Sequence, residues 1–190
     1  MRSVLAAVSI GALGVFVACH GSSEPRVASA IAGLPEYTPE EAAVFDDVLA
    51  PPVFGLRAEV APEKDPNLAA RVGHADWVGR ARVSTVSREA LAGKDGYTLG
   101  LSPEGAALAG SETATSVELR VPQGSPSYLR LETASSSLVG KRIILFVRKY
   151  ADRGEPTSHW HGEADEDATT SAIAHQKALD APGAAAHTKD

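Results

Sequence analysis

Trp77-Val78-Gly79-Arg80-Ala81-Arg82-Val83-Ser84-Thr85 is the stretch on which the fold turns. Trp77, Gly79, Ala81, Val83 and Thr85 alternate with Arg80, Arg82 and Ser84. That period of two gives a strand with one face on a core and a polar face outward, where a helix would repeat every 3.6 residues. The strand-like stretch begins at Ala75. Downstream, Gly93-Lys94-Asp95-Gly96 is a turn signal, and Tyr97, Leu99 and Leu101 alternate again. A Gly/Ser/Thr-rich loop is expected over 102–115, and then Val117, Leu119 and Val121 oppose Glu118 and Arg120. Pro122 to Pro126 turns the chain, and Leu129 and Leu131 suggest a short strand. Ile143 to Val147, entered through Val139-Gly140-Lys141, is apolar at successive positions and marks a central strand buried on both faces. His159-Trp160-His161 completes the series as a last short strand. Five or six short strands divided by turn signals predict a mainly β protein, an antiparallel barrel or sandwich.

Helices flank this pattern. Asp65-Pro66 opens a short helix through Ala70, and Asp165 to Leu179 reads as a closing helix. The acidic start of the latter (Asp165, Glu166, Asp167) suits the positive end of a helix dipole, and Ala172, Ile173, Gln176 and Leu179 trace a thin apolar stripe. Residues 181–190 are expected to be a disordered tail. Upstream, Thr38-Pro39-Glu40-Glu41 combines an N-cap, a proline at the first helical position and a capping-box glutamate. With Phe45, Val48 and Leu49 on one face, it predicts a short amphipathic helix over 39–50, ended by Pro51-Pro52, whose apolar face docks on its own domain, the plainer expectation, or on a partner.

At the start of the chain, Arg2 precedes an uncharged, mostly apolar run from Val4 to Val17, closed by Ala18 and Cys19. The run falls short of the roughly 20 apolar residues of a membrane span and suits a signal peptide over 1–18. Phe16-Val17-Ala18-Cys19 resembles the lipobox of bacterial lipoproteins, with Phe16 where that family usually carries Leu. The resemblance implies that the Cys19 sulfur takes a diacylglyceryl group and that cleavage makes Cys19 the new N-terminus. Cys19 is the one cysteine, so no intramolecular disulfide forms, and acylation gives the residue a use. His20 rather than Asp after the cysteine leans, by resemblance to lipoprotein sorting, toward the outer membrane. Residues 19–65 then read as a lipidated tether containing the 39–50 helix. The roughly 46 residues would span about 35–40 Å as a coil.

The order of elements in the domain predicted over 66–180 also resembles a recurring domain of bacterial exported proteins. The matching segments are Ala75-Asp76-Trp77-Val78-Gly79-Arg80-Ala81-Arg82-Val83 and Val139-Gly140-Lys141-Arg142-Ile143-Ile144-Leu145-Phe146. The resemblance covers about 75–150 and implies a small antiparallel OB-like barrel, similar to netrin-like domains. It supports fold more than function.

Composition narrows the function. With 18 Lys+Arg against 24 Asp+Glu the net charge is −6, and losing Arg2 with the leader makes it −7. An acidic chain lacks the positive field that nucleic acid requires and is repelled by anionic lipid, so membrane attachment needs a lipid or a hydrophobic segment. An OB-like barrel can bind single strands using aromatics in a basic groove, and Arg80, Arg82, Arg120 and Arg130 are the residues that could line one surface. Solvated sheet-face arginines paired with Glu118 and Glu132 are the plainer expectation, and no nucleic-acid partner is assigned.

No Gly-x-Ser-x-Gly elbow, phosphate-binding loop or His-Glu-x-x-His helix occurs in the chain. The conspicuous polar cluster is His159-Trp160-His161-Gly162-Glu163-Ala164-Asp165. On a strand, His159 and His161 share one side at a spacing that can place two imidazoles on a metal, with Glu163 or Asp165 completing the set. The plainer alternative is an exposed strand end with Trp160 packed inward, followed by an acidic helix start. The functional expectation is a lipid-anchored cell-envelope protein with a non-enzymatic module binding a protein or envelope component, and no cofactor. The alternative is a metal-binding protein or metal-dependent hydrolase using His159 and His161. Protease inhibition, known for some netrin-like domains, is a third reading, set back because it relies there on cysteine-fixed geometry.

Overall fold

The structure, a computed structural model, describes residues 31–91, 93–112 and 114–181. Cys19, the leader and the tail from 182 lie outside them. Six strands form one sheet in the order β1-β6-β5-β2-β3-β4, curled into a half-barrel: β1 (Val48–Leu49), β2 (Trp77–Leu91), β3 (Lys94–Gly110), β4 (Val117–Pro122), β5 (Arg142–Asp152) and β6 (Glu155–Ala164). All neighbours are antiparallel except β1, which runs parallel to β6 through Val48–His161 and Leu49–Gly162. Among the described residues, four α-helices flank the sheet: α1 (Pro39–Val44), α2 (Pro66–His74), α3 (Pro126–Leu138) and α4 (Asp167–Asp180).

The alternation around Trp77 builds β2, which register shifts at Val78/Arg80 and Val83/Thr85 bend along its length. Trp77, Ala81 and Val83 join Tyr97, Leu99, Leu101, Leu119, Val121, Leu145 and Trp160 on the concave side, where α3 fills the half-barrel with Tyr128, Leu131 and Leu138. On the convex side Val78, Ile144, Phe146 and Tyr150 pack with Phe45, Leu68, Val72 and Ile173 from the other helices. Ile143 to Phe146 are at most 1% exposed, which is why β5 is apolar at each of these four positions, and it lies inside the sheet as expected. Burying a side chain of this size contributes roughly 1.5–3 kcal/mol, so these four make β5 a main anchor of both cores.

Four local expectations are corrected. Leu129 and Leu131 lie in α3, not in a strand: Ser125 caps it by accepting from the Ser127 N–H, Pro126 begins it, and Leu129 is solvent-exposed while Leu131 is buried. The loop expected over 102–115 is strand as far as Gly110, because β2 is long enough to pair with it from Leu91–Lys94 to Trp77–Gly110. The 39–50 helix ends at Val44; Thr38 caps it as expected, but Val48 and Leu49 join the sheet, and a 3-10 turn follows over Pro51–Phe54. Phe45, Leu49 and Val53 are buried, so this part of the predicted tether is folded against the domain. The helix after Asp65 continues past Ala70 to His74, since Leu68, Arg71 and Val72 all have buried positions to fill.

Candidate functional site

Extended backbone turns His159, His161 and Glu163 to the convex face of β6, while Trp160 turns into the concave core. Both histidines are buried, at 8% and 5% exposure, rather than standing at an open strand end. What buries them is the segment leaving α1. Asp46 Oδ1 lies 2.7 Å from His161 Nδ1, and Asp47 Oδ2 lies 2.7 Å from His159 Nδ1. Asp47 Oδ1 also accepts the Trp160 N–H at 3.0 Å, and the Asp47 N–H donates to the Trp160 carbonyl at 2.8 Å. Asp47 makes these contacts in the left-handed region, at φ 55°. Aspartate tolerates that region better than most residues do. One step on, the Leu49 N–H donates to the buried Ser127 Oγ at 2.8 Å, tying β1 to α3.

His161 has carboxylates on both ring nitrogens, since Glu163 Oε1 sits 3.0 Å from Nε2. Two acceptors require two N–H donors, which is the imidazolium form. Burial alone would lower the His161 pKa, but the hydrogen bonds to Asp46 and Glu163 outweigh it, and the pKa stands above the ordinary histidine value. The buried Arg71 extends the cluster, donating from Nε to the Val44 carbonyl and from Nη1 to Asp65 at 2.6 Å, with Glu163 at 3.9 Å. Asp46, Asp65, Arg71, His161 and Glu163 line a cavity of about 310 Å³. His159 stacks on Tyr37 at a ring separation of 3.5 Å and meets Tyr150 edge-on, with its Nε2 buried and without a hydrogen bond, Asp152 Oδ2 lying 3.9 Å away. Burial first, then the Asp47 and Asp46 charges, raise the Tyr37 pKa. Tyr150 is raised by burial and by its 2.6 Å hydrogen bond to Glu41.

Of the four residues considered for metal, His159, His161 and Glu163 share a face, but Asp165 is taken up by arginines, accepting from Arg80 at 2.9 Å with Arg142 at 3.3 Å. Among the described residues no group of three or more His, Cys, Asp or Glu is placed to hold a metal ion. Chemically the cluster is a clasp: paired acids on the incoming segment grip paired histidines on β6. Asp46 and Asp47 escaped the sequence reading because they lie more than 110 residues from the histidines. The available signal was an adjacent acidic pair just past a helical pattern and before Pro51-Pro52. The arginines also sort differently: Arg120 pairs with Glu118 as expected, Arg82 with Glu104, and Arg130 sits on α3 with Nη1 3.5 Å from the Leu49 carbonyl.

A second feature lies where the half-barrel stops short of closing. A cavity of about 460 Å³ is lined from one side by Glu118 and Arg120 of β4 and from the other by Pro156 to Trp160 of β6 and Asp47. An adjoining cavity of about 300 Å³ shares Glu118 and Ser158 and reaches Trp77 and Val147. Edge strand β4 and the part of β6 that β1 leaves uncovered therefore face a common trough whose β6 wall is held by the Asp47–His159 contact. Comparison of the chain with protein-family models, curated proteins and solved structures gives no match.

Proposed function

We propose that the chain is a lipid-anchored envelope protein whose half-barrel is a non-enzymatic module binding a protein or another envelope component. The observation that carries the reading is the trough between β4 and β6, a concave site lined by polar and charged groups beside a buried tryptophan. The lipobox-like Phe16 to Cys19 supports attachment through acylated Cys19, with the outer membrane favoured by His20. The netrin-like, OB-like resemblance agrees with a half-barrel but assigns it no ligand. Among the described residues no helix is long and apolar enough to cross a membrane.

The histidine pair argues for structure over metal chemistry. A cation at His161 would have to displace Asp46 or Glu163 from its nitrogens, and one at His159 Nε2 would have to enter a buried position under Tyr37. Zinc titrated into micromolar protein should give no saturable heat. A stoichiometric binding isotherm would revive the metal-dependent alternative.

The test is fractionation of cells expressing the parent or Cys19→Ser, followed by crosslinking, affinity capture and mass spectrometry. The parent should sediment with membranes and yield a partner that the variant loses. A variant that stays membrane-bound refutes the lipid anchor, and a parent that captures nothing above background refutes the binding module.

A further inference from the structure

We propose that the trough between β4 and β6 takes one extended peptide segment of a partner protein, which pairs with both strands and closes the barrel. This deepens the binding-module reading and rests on it.

The backbone supplies the argument. In an antiparallel strand, the N–H and C=O of one residue point to the same side, and successive residues alternate. On β6, the Trp160 and Gly162 carbonyls accept from Asp47 and Ala50, so even-numbered residues point away from β5. The next of these is Ser158, whose N–H and C=O have no partner among the described residues, and beyond it is Pro156. On β3, the Asp95 carbonyl accepts from Gln123, while the Thr98 and Gly100 carbonyls accept hydroxyls from β2. Odd-numbered residues of β3 therefore face β4, and their register partners Val117, Leu119 and Val121 face back. Glu118 and Arg120 are left with backbone groups pointing out, again without a partner among the described residues, and Pro122 ends the row. These are the residues lining the trough, Glu118 and Arg120 on one wall and Pro156 and Ser158 on the other. A row of free N–H and C=O groups recognises another peptide backbone and little else. The proline closing each row limits how far such pairing can run.

Strand direction fixes the number of guests. β6, β5, β2, β3 and β4 alternate in direction, so the two edges run the same way. One strand running opposite pairs antiparallel with both and completes an alternating barrel; two would leave one pairing parallel. The pleat fixes its pattern. Guest residues facing inward meet Leu119, Trp160 and Val147 and should be apolar. Those facing outward meet the exposed Glu118–Arg120 pair and should be polar or charged. The occupant is thus a short alternating apolar/polar segment in extended form.

The experiment is selection of peptides from a displayed random ten-residue library on the full chain. Selected peptides are then titrated by tryptophan fluorescence, since Trp160 lines the trough. Alternating sequences should be enriched, and binding should protect the Ser158, Glu118 and Arg120 amides from hydrogen exchange. Ser158→Pro removes an outward N–H without touching the β5 ladder. It should keep the parent's melting temperature within a few degrees and weaken binding at least tenfold. Arg120→Ala keeps the backbone group and should change binding less than threefold. Should Ser158→Pro unfold the chain, methylating alternate backbone nitrogens of the peptide is the second test, and it should abolish binding in one phase of the alternation only. Peptides indifferent to Ser158→Pro and to N-methylation would overturn strand addition, as would a selection without enrichment. A concentration-dependent dimer lost in Ser158→Pro would replace the partner with a second copy and also overturn the proposal. Partner capture that persists in the Ser158→Pro chain leaves the binding module standing and sinks only this mode.

Discussion

Replacing Asp47 tests the clasp most sharply, because one side chain holds two groups of β6 from a left-handed backbone. Asp47→Ala removes a charge-assisted hydrogen bond to the buried His159, about 1.5–3 kcal/mol in such settings, and takes the acceptor from the Trp160 N–H, about 1–3 kcal/mol if left unpaired. Alanine at φ 55° adds roughly 1 kcal/mol. Asp47 is itself 29% exposed in its side chain, so water replaces part of what is lost, and the net expectation is about 3–4 kcal/mol. That is a large share of the roughly 5–15 kcal/mol that stabilises a domain. Asp47→Asn keeps an acceptor and tolerates the left-handed region, so it should cost about 1–2 kcal/mol. Asp47→Gly loses the same hydrogen bonds as Ala without the strain and should be milder than Ala by about 0.5–1 kcal/mol. Urea unfolding followed by tryptophan fluorescence gives the three values on one scale. An Ala variant within about 1 kcal/mol of the parent, or a Gly variant no milder than Ala, would refute the reasoning.

The remaining predictions concern the same two layers of packing. His161 has a folded pKa raised above its unfolded value near 6.5, so its stabilising contribution is complete below about pH 6.5 and is lost as pH rises through the folded value. Urea midpoints of the parent and His161→Gln at pH 6 and pH 9 should therefore lie further apart at the lower pH; an equal gap contradicts the imidazolium. Tyr150→Phe removes the hydroxyl that donates to Glu41 at 2.6 Å and should lower stability by about 1–2 kcal/mol in thermal melts. Gly110 has φ 84°, and a Cβ there would lie 2.3 Å from the Asp76 carbonyl oxygen, whereas Gly154, at φ 81°, has open space. Gly110→Ala should thus cost about 3 kcal/mol or more and Gly154→Ala about 1 kcal/mol, read as the difference between their melting curves.

The strands that carry most of the sheet were legible because their burial is local and periodic. Ala81 to Ser84 alternates since one face is wet there, and Ile143 to Phe146 does not alternate since both faces are covered. Helix α3 was misread for a physical reason. Its buried residues Tyr128, Leu131 and Leu138 are sparse among Ser, Thr and Glu, so Leu129 and Leu131 dominate the local pattern, and only the cap Ser125-Pro126 marked the start. Strand β1 has two residues and exists because Asp46, Asp47 and Ser127 hold it, contacts that no local pattern encodes. For the same reason His159 and His161 were seen to share a face while the acids that occupy them were not. The trough depends on where a curled sheet stops closing, which follows from the lengths and bends of β2 and β3 rather than from any motif. Its walls nevertheless carry a readable mark in the prolines at 122 and 156, both at outward positions, one on edge strand β4 and one on the stretch of β6 not covered by β1.

The central claim is that a tethered half-barrel binds a partner at its open edge, and site-specific photocrosslinking in living cells tests it most directly. A photoreactive residue in place of Arg120, on the trough wall, is compared with one in place of Leu179, exposed on α4. Position 120 should give a discrete adduct to another protein and position 179 none, and the adduct should be lost when Cys19→Ser is added. Equal adducts from both positions, or none from position 120, would contradict it.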